Sequence, residues 1–586
     1  MIKKISAFAA ALTLTTSSAG VLPYAGEANI LNVSAAEETS SLPEKVDLSE
    51  TGFFPSEVID QGKVNSCAAC ASTYYQFTYE ARKAYYDKYG VNYSNLVYSP
   101  TSTYSQANGG YDGGSTYSDL YDVLKYRGAV TMDQLNYDSY LGIEFEDKEV
   151  PVNTEVKPKD AYYIFGWVYD ENLNDIEKNL FEKLNDKYYR RKGEYITADE
   201  YNNLNENEKE NYLPIINDDN YYYRFERTFT NIPNNEQDLL DALKIRLDNY
   251  KTKRLGTDLN EDEFINYIKE KLNEGKVVAA TAHYGYNFKC EKEIDGKKYD
   301  IVYQNAVNEK SGYHALTIAG YDDNFEFDIN GNGEIEENEK GAFKVYNSYG
   351  KSWGGNGVCW LMYDSVYKTS RVENCPDANS IHSYDDFDTI NVRESSLYDV
   401  FTIDVSVKDV KLVSEVVFDT DNYFGVSVYN SCGNHYIPSI KDMSTKKALS
   451  YSGPVLTDIT DLCSDSRGDR GNGRAFRISL RNNNNSMLNI KSICIKDDKG
   501  TVVASKDLND QKCSSYFEDY LSISLPRGDM NYDGAYDSDD YAVVKAYFAD
   551  PKNSDLSQFK LELLDANDDG VRDENDLAIL SENMAD

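Results

Sequence analysis

The 586-residue chain sets 60 Lys and Arg against 99 Asp and Glu, a formal net charge of −39, and carries 51 tyrosines. Charge of that sign excludes nucleic acid and anionic membrane surfaces as natural partners, and it suits a soluble extracellular protein with calcium sites, which need carboxylates in numbers. The length predicts several domains, and the tyrosines predict broad semi-polar faces rather than disorder.

Lys3 and Lys4 precede a largely apolar run from Ile5 to about Leu14, then small residues and an A-x-A-like Val33-Ser34-Ala35. This reads as a secretory signal over 1–36, so the protein is expected to be secreted. The run is too short for a transmembrane anchor. Nine cysteines are spread thinly and predict no dense disulfide framework. With one of them a reactive thiol, the other eight could pair, in an order the spacing leaves open.

A turn-rich segment from Leu42 leads to QGKVNSCAACA, Gln61 to Ala71, and a helical run from Ala68 to about Tyr86. A thiol at the first turn of a helix faces orphan N–H groups and the positive end of the dipole, which favour the thiolate. The Gln61 amide can donate to an oxyanion beside it. The same residues also fit a buried cysteine in an ordinary helix. Glycines at 109, 110, 113 and 114 mark turns, and Thr116 to Arg127 has helical spacing. From 144 to 274 the chain is charged and poor in glycine, which predicts a helical insertion on the outside of a domain. Strand patterns return at Lys276. Residues 380–525 alternate with turn signals throughout and predict a β-sandwich module, a spacer or a carbohydrate or substrate binder.

The tail, 526–586, is a tandem repeat: DMNYDGAYDSDD at Asp529 returns as DANDDGVRDEND at Asp565, 36 residues on. Oxygen ligands at loop positions 1, 3, 5 and 12, a backbone carbonyl at 7 and glycine at 6 suit calcium. The ligands are Asp529, Asn531, Asp533, Ala535 and Asp540 in the first loop, and Asp565, Asn567, Asp569, Val571 and Asp576 in the second. A third loop, 328–339, offers Asp328, Asn330, Asn332, Glu334 and Glu339. An acidic solvated turn is the plain alternative for any single copy. The tail resembles a dockerin type I module. That resemblance implies a cohesin domain of a scaffoldin as partner, as in cellulosome-type complexes, with Ser538, Asp539, Glu574 and Asn575 at the contact positions.

A nucleophilic thiol needs a base, and the base an orienting group. His314 lies in SGYHALTIAGYDD and Asn347 in FKVYNSYGKSWGGNG. With Gln61 and Cys67 these resemble the papain-like cysteine peptidases, family C1. Cys67 falls on the nucleophile, His314 on the base, Asn347 on its orienter and Gln61 on the oxyanion donor. Trp353 matches the second tryptophan of the asparagine motif, and Gly113 and Gly114 the pair that binds substrate backbone. Ala68 stands where the family has tryptophan, Val64 where it has a disulfide cysteine, and Tyr349 where tryptophan shields the histidine. Cys67 and His314 are farther apart than the family's roughly 130–150 residues, and the insertion absorbs the excess. Cys70 is a second candidate thiol and His283 a weaker rival base; His382 and His435 lie beyond the domain.

The implied architecture is multidomain. An α+β papain-like domain of a helical and a β-barrel-like lobe spans 37–375, followed by the sandwich and a small α dockerin. The implied activity is endopeptidase hydrolysis of polypeptide through a Cys-His-Asn triad needing no cofactor. The alternative is a catalytically silent papain-like binder in the same complex. A carbohydrate-active reading finds no paired-carboxylate site. Only residues 37–41 separate the signal from LPEKVDL, which predicts no inhibitory prosegment there and gives the 144–274 insertion the role of covering the cleft.

Overall fold

The computed structural model describes residues 42–137 and 232–584, apart from 63, 110–113, 285, 295, 308–310, 352, 377–391, 421–422, 424–425, 433–434, 439–450, 464–473 and 483–487, together with short segments between 138 and 231. The 1–36 signal and Gly113 lie outside the described residues. The chain divides into two compact units, and residues 138–231 with 110–113 form the smaller.

In the smaller unit the described residues include two three-stranded antiparallel sheets. One joins Trp167–Tyr169, Phe181–Asn185 and Tyr188–Arg191, the other Glu194–Thr197, Tyr212–Pro214 and Tyr221–Arg224. The helical expectation for 144–274 is therefore corrected over these stretches. Their Tyr, Phe and Ile residues favour a pleated, half-buried surface, and this outweighs the helix-like charge pattern.

The larger unit begins with strand β1 (Lys45–Asp47) and the cysteine helix α1, which is α-helical over Cys67–Ala69, π-helical over Cys70–Phe77 and α-helical again over Thr78–Tyr89. Helices α2 (Pro100–Asn108) and α3 (Tyr117–Tyr126) pack beside it. Thr116 and Asp119 form a capping box that starts α3. Phe77, Tyr104, Leu120 and Leu124 fill the core between these helices. Gly128 follows α3 with φ +67°, and a Cβ there would sit 1.9 Å from the Ala242 carbonyl oxygen of α4 (Glu236–Ala242), so this crossing requires glycine.

The strands are β2 (Ile245–Arg254), β3 (Val278–Tyr284), β4 (Tyr286–Ile294), β5 (Lys297–Val307), β6 (Gly312–Glu326), β7 (Lys340–Tyr346), β8 (Val358–Met362) and β9 (Leu397–Val407). They form one sheet in the order β4-β5-β8-β7-β6-β3-β9-β2, with β1 paired to β6. Helix α5 (Glu261–Asn273) buries Phe264, Ile268 and Leu272 in the core with Val278, Ile318 and Phe343.

Two further expectations change here. Residues 245–254, placed in the helical insertion, are a strand of this sheet: Ile245 and Leu247 are buried and the distal half is mostly exposed. Residues 397–407, placed in the β module, pair with β2 and β3 and belong to the same sheet. An alternating pattern tells which face is buried, not which strand lies alongside.

The β module holds two four-stranded sheets. The first orders β13 (Tyr451–Asp458), β10 (Leu412–Thr420), β15 (Leu488–Asp497) and β16 (Val502–Cys513). The second orders β12 (His435–Pro438), β11 (Val426–Cys432), β14 (Arg474–Asn482) and β17 (Tyr516–Ile523). The tail adds α6 (Ser538–Ala549), α7 (Gln558–Leu563) and α8 (Glu574–Glu582). One apolar cluster runs without a break from Val416, Phe476 and Ile493 of the module to Met530, Tyr532, Phe559, Leu563 and Leu580 of the tail. Tyr532 donates from its hydroxyl to Asp497 at 2.9 Å. Toward the rest of the unit, Leu239, Leu240 and Leu243 pack on Val410, Val413 and Leu456, and Arg246 pairs with Asp458.

Candidate active site

Cys67 opens α1 behind its N-cap Ser66 and is partly exposed. Its thiol receives backbone hydrogen bonds from Ala68, from its own residue and from Ala315 of β6. The last contact sets the sulfur against the strand that carries His314. Burial pushes the thiol up, and those three hydrogen bonds pull it back. The helix start favours the anion, and loss of water works against it.

His314 is buried on β6, where its register partner is Ala282 of β3. Asn347 is buried just past the end of β7. Imidazole Nε2 and Asn347 Oδ1 are 2.7 Å apart. The Ser348 backbone N–H donates to the same Oδ1 at 2.7 Å, which identifies that atom as the amide oxygen. An acceptor there requires the proton on Nε2, which leaves Nδ1 unprotonated in the neutral ring. Burial lowers His314, and the Asn347 hydrogen bond partly restores it.

Tyr349 stacks on the imidazole, ring centroids 4.8 Å apart and planes 26° apart, and Trp353 meets Tyr349 edge-on at 6.2 Å. The tyrosine thus covers one face of the histidine.

Gln61 is held from several sides. Its Nε2 donates to the Val64 carbonyl (2.9 Å), its backbone N–H to the Ser348 carbonyl (2.7 Å), and its Oε1 accepts from the Ser348 hydroxyl (2.5 Å). The amide nitrogen carries a second hydrogen for an oxyanion. Tyr75 of α1 donates to the Asn347 carbonyl at 3.2 Å, and Tyr137 to the Gln61 carbonyl at 3.0 Å. Ser348, Tyr75 and Tyr137 were not singled out from the sequence. Ser348 stands directly after Asn347, and that adjacency was the available signal.

Cys70 is fully buried, and burial pushes its thiol far up. His283 lies in an aromatic group with Tyr313 and Tyr398, its Nδ1 2.9 Å from the Ser395 carbonyl. Gly114 donates its N–H to the Tyr104 hydroxyl at 3.1 Å, and open space faces its α-carbon. Cys67, Cys70, Cys375, Cys494 and Cys513 are unpaired thiols.

The three acidic loops share one hydrogen-bond pattern. The position-1 carboxylate (Asp328, Asp529, Asp565) accepts from the glycine N–H at position 6. One oxygen of Glu339, Asp540 and Asp576 accepts from the N–H groups of positions 2 and 3, and the other from that of position 9. Gly333, Gly534 and Gly570 have φ of 86°, 90° and 82°. Burial raises Asp529, and the charges of Asp540 and Asp533 raise it further, a condition a cation relieves. Among the described residues no three His, Cys, Asp or Glu side chains converge as a metal-holding group. The oxygen-only donors fit calcium through the asparagine and carbonyl positions as well.

No family model and no curated protein matches the sequence. The chain is similar to xylellain, a cysteine protease from Xylella fastidiosa (16% identity, TM-score 0.31, 66% of this chain and 100% of that one). It is also similar to the bromelain protease from Ananas comosus in complex with the E64 inhibitor (12%, 0.28, 63% and 100%) and to proCathepsin B S9 from Trypanosoma congolense (13%, 0.28, 63% and 82%). These structural neighbours are papain-like cysteine proteases.

Proposed function

We propose that the protein is a secreted cysteine endopeptidase, anchored by its tail to a cohesin-bearing scaffoldin. The observation that carries the peptidase reading is the Nε2–Oδ1 hydrogen bond between His314 and Asn347, its polarity set by the Ser348 N–H. The imidazole is held in one tautomer and presents Nδ1 for Cys67. Burial disfavours both thiolate and imidazolium at rest, so the proton passes to His314 as the sulfur attacks the peptide carbonyl. Gln61 Nε2 and the Cys67 N–H stabilise the oxyanion. His314 then protonates the leaving amine, and water, deprotonated by His314, releases the acyl group from sulfur.

The tail reading rests on the repeated loop pattern and on a helix after each loop. Asp529, Asn531, Asp533, Ala535 and Asp540 would hold one calcium, and Asp565, Asn567, Asp569, Val571 and Asp576 the other. Loop 328–339, with Asp328, Asn330, Asn332, Glu334 and Glu339, would offer oxygens at the same loop positions, with asparagine at position 5 and glutamate at position 12. Calcium supplies loop rigidity here and no step of the hydrolysis.

The test is covalent labelling by an epoxide-type thiol inhibitor of wild type and Cys67→Ala. Labelling of wild type alone supports the peptidase; absence of Cys67-dependent labelling supports a silent binder. For the tail, calcium should raise the melting temperature of the full chain and support capture by a cohesin, and Asp540→Ala with Asp576→Ala should abolish the capture and leave only the part of the thermal response that loop 328–339 supplies.

A further inference from the structure

Arg127 caps the C-terminus of α3 and is 6% exposed. Its Nη1 donates to Gln106 Oε1 (3.1 Å) and to the Tyr423 hydroxyl (2.6 Å), both neutral groups. Its Nε and Nη2 are buried and, among the described residues, meet no hydrogen-bond partner. Nε and Nη2 form one edge of the planar fork, the edge that takes an anion side-on through two parallel N–H groups. Arg127 lines a small pocket, partly open to solvent, whose walls include Pro233, Leu243, Tyr423 and Tyr451. The pocket lies where α3, α4 and the β module meet. Buried charges persist in proteins when they are paired, and among the described residues that line the pocket none supplies the counter-charge.

We propose that this pocket binds a small monovalent anion, a halide or a formate-sized carboxylate, held by Nε and Nη2 of Arg127. The Tyr423 hydroxyl, which accepts from Nη1, has its own hydrogen to offer the anion. A divalent anion would leave a second charge against apolar walls and is disfavoured. The bound ion ties the end of α3 to the β module, so it stabilises the joint between them. The site is independent of the proposed peptidase chemistry.

The test is thermal and denaturant unfolding of the full chain in sodium gluconate, replaced stepwise by chloride, bromide or formate at constant ionic strength, with sulfate as control. A specific site lowers the unfolding equilibrium constant by about 100-fold when the anion stands at about 100 times its Kd. Wild type should show this response to at least one small anion and not to sulfate. Arg127→Met should lose it, and Tyr423→Phe, which keeps the guanidinium, should weaken it. A crystal grown with bromide should show an anomalous peak beside Nε and Nη2, a readout that stands even if Arg127→Met does not fold. A response to formate alone assigns a carboxylate, and one to halides alone a halide; both support the site. Equal stability in all salts with no bromide peak, or a response unchanged in Arg127→Met, overturns it.

Discussion

Ser348→Ala removes the hydroxyl that holds Gln61, the proposed oxyanion donor, without touching any group proposed to react. Ser348 is 2% exposed, Gln61 is 7% exposed, and the hydrogen bond between them is 2.5 Å long. Leaving a buried acceptor unpaired costs about 1–3 kcal/mol, and it frees the Gln61 amide to turn. Passed into the transition state at about 1.4 kcal/mol per tenfold, that is roughly a 5- to 150-fold loss. The ceiling is outright loss of one oxyanion donor, about 10²–10³ in kcat. Expected values are therefore a kcat about 10- to 100-fold lower, an almost unchanged KM, and a larger fall in Gln61→Ala. The assay is steady-state hydrolysis of a fluorogenic peptide by Ser348→Ala, Gln61→Ala and the double variant. Since Ser348 acts through Gln61, the double variant should match Gln61→Ala alone. Losses that multiply in the double variant, or a Ser348→Ala enzyme within about twofold of wild type, would refute the reasoning.

Iodoacetamide alkylation of Cys67 should accelerate as pH rises through neutrality, because burial pushes the thiol up and the imidazole down; a rate already level by about pH 5 would mean a preformed ion pair. Burial pushes the Glu80 carboxyl from 4.5 up to about 7, with Lys276 and Lys83 drawing it back. Its folded value lies above its unfolded one, so its contribution is complete below about pH 4.5 and lost as pH rises through about 7, up to ~3 kcal/mol. Glu80→Gln should therefore lose less stability than wild type between about pH 5 and 8 in urea titrations, and an equal or steeper loss would remove Glu80 as the cause. Gly128→Ala should cost about 2–4 kcal/mol, whereas Gly256→Ala, at φ +74° with nothing within 4 Å, should cost about 1–2 kcal/mol; equal urea midpoints for the two would contradict the contact with Ala242.

The site was readable in the sequence where chemistry restricts residue type. Cys67 opens a helix a few residues after Gln61, and His314 and Asn347, 33 residues apart in the chain, meet at 2.7 Å. What could not be read was environment. The helix start at Cys67 argued for a thiolate, and only the packing of Ala315 and its neighbours shows how far burial opposes it. Pairing partners were equally hidden. The stretch 397–407 alternates as any half-buried strand does, and its place beside β3 is set by contacts distant in sequence. In 144–231 the run of charges read as helix, while the tyrosines that pair as Tyr221–Arg224 carried the stronger preference.

The apolar cluster shared by the β module and the tail bears on aim as well as stability. A flexible tether of n residues lets its cargo roam roughly 5–6 Å × √n. Here Met530, Tyr532 and Phe559 are set into the same core as Phe476 and Ile493, so the tail is a mounting and not a leash. A partner holding α6 and α8, as proposed, would also fix the bearing of Cys67 and His314. A peptidase of the kind proposed would then face one direction and cut what passes before it, and its choice of targets would be partly a matter of how the scaffold is built.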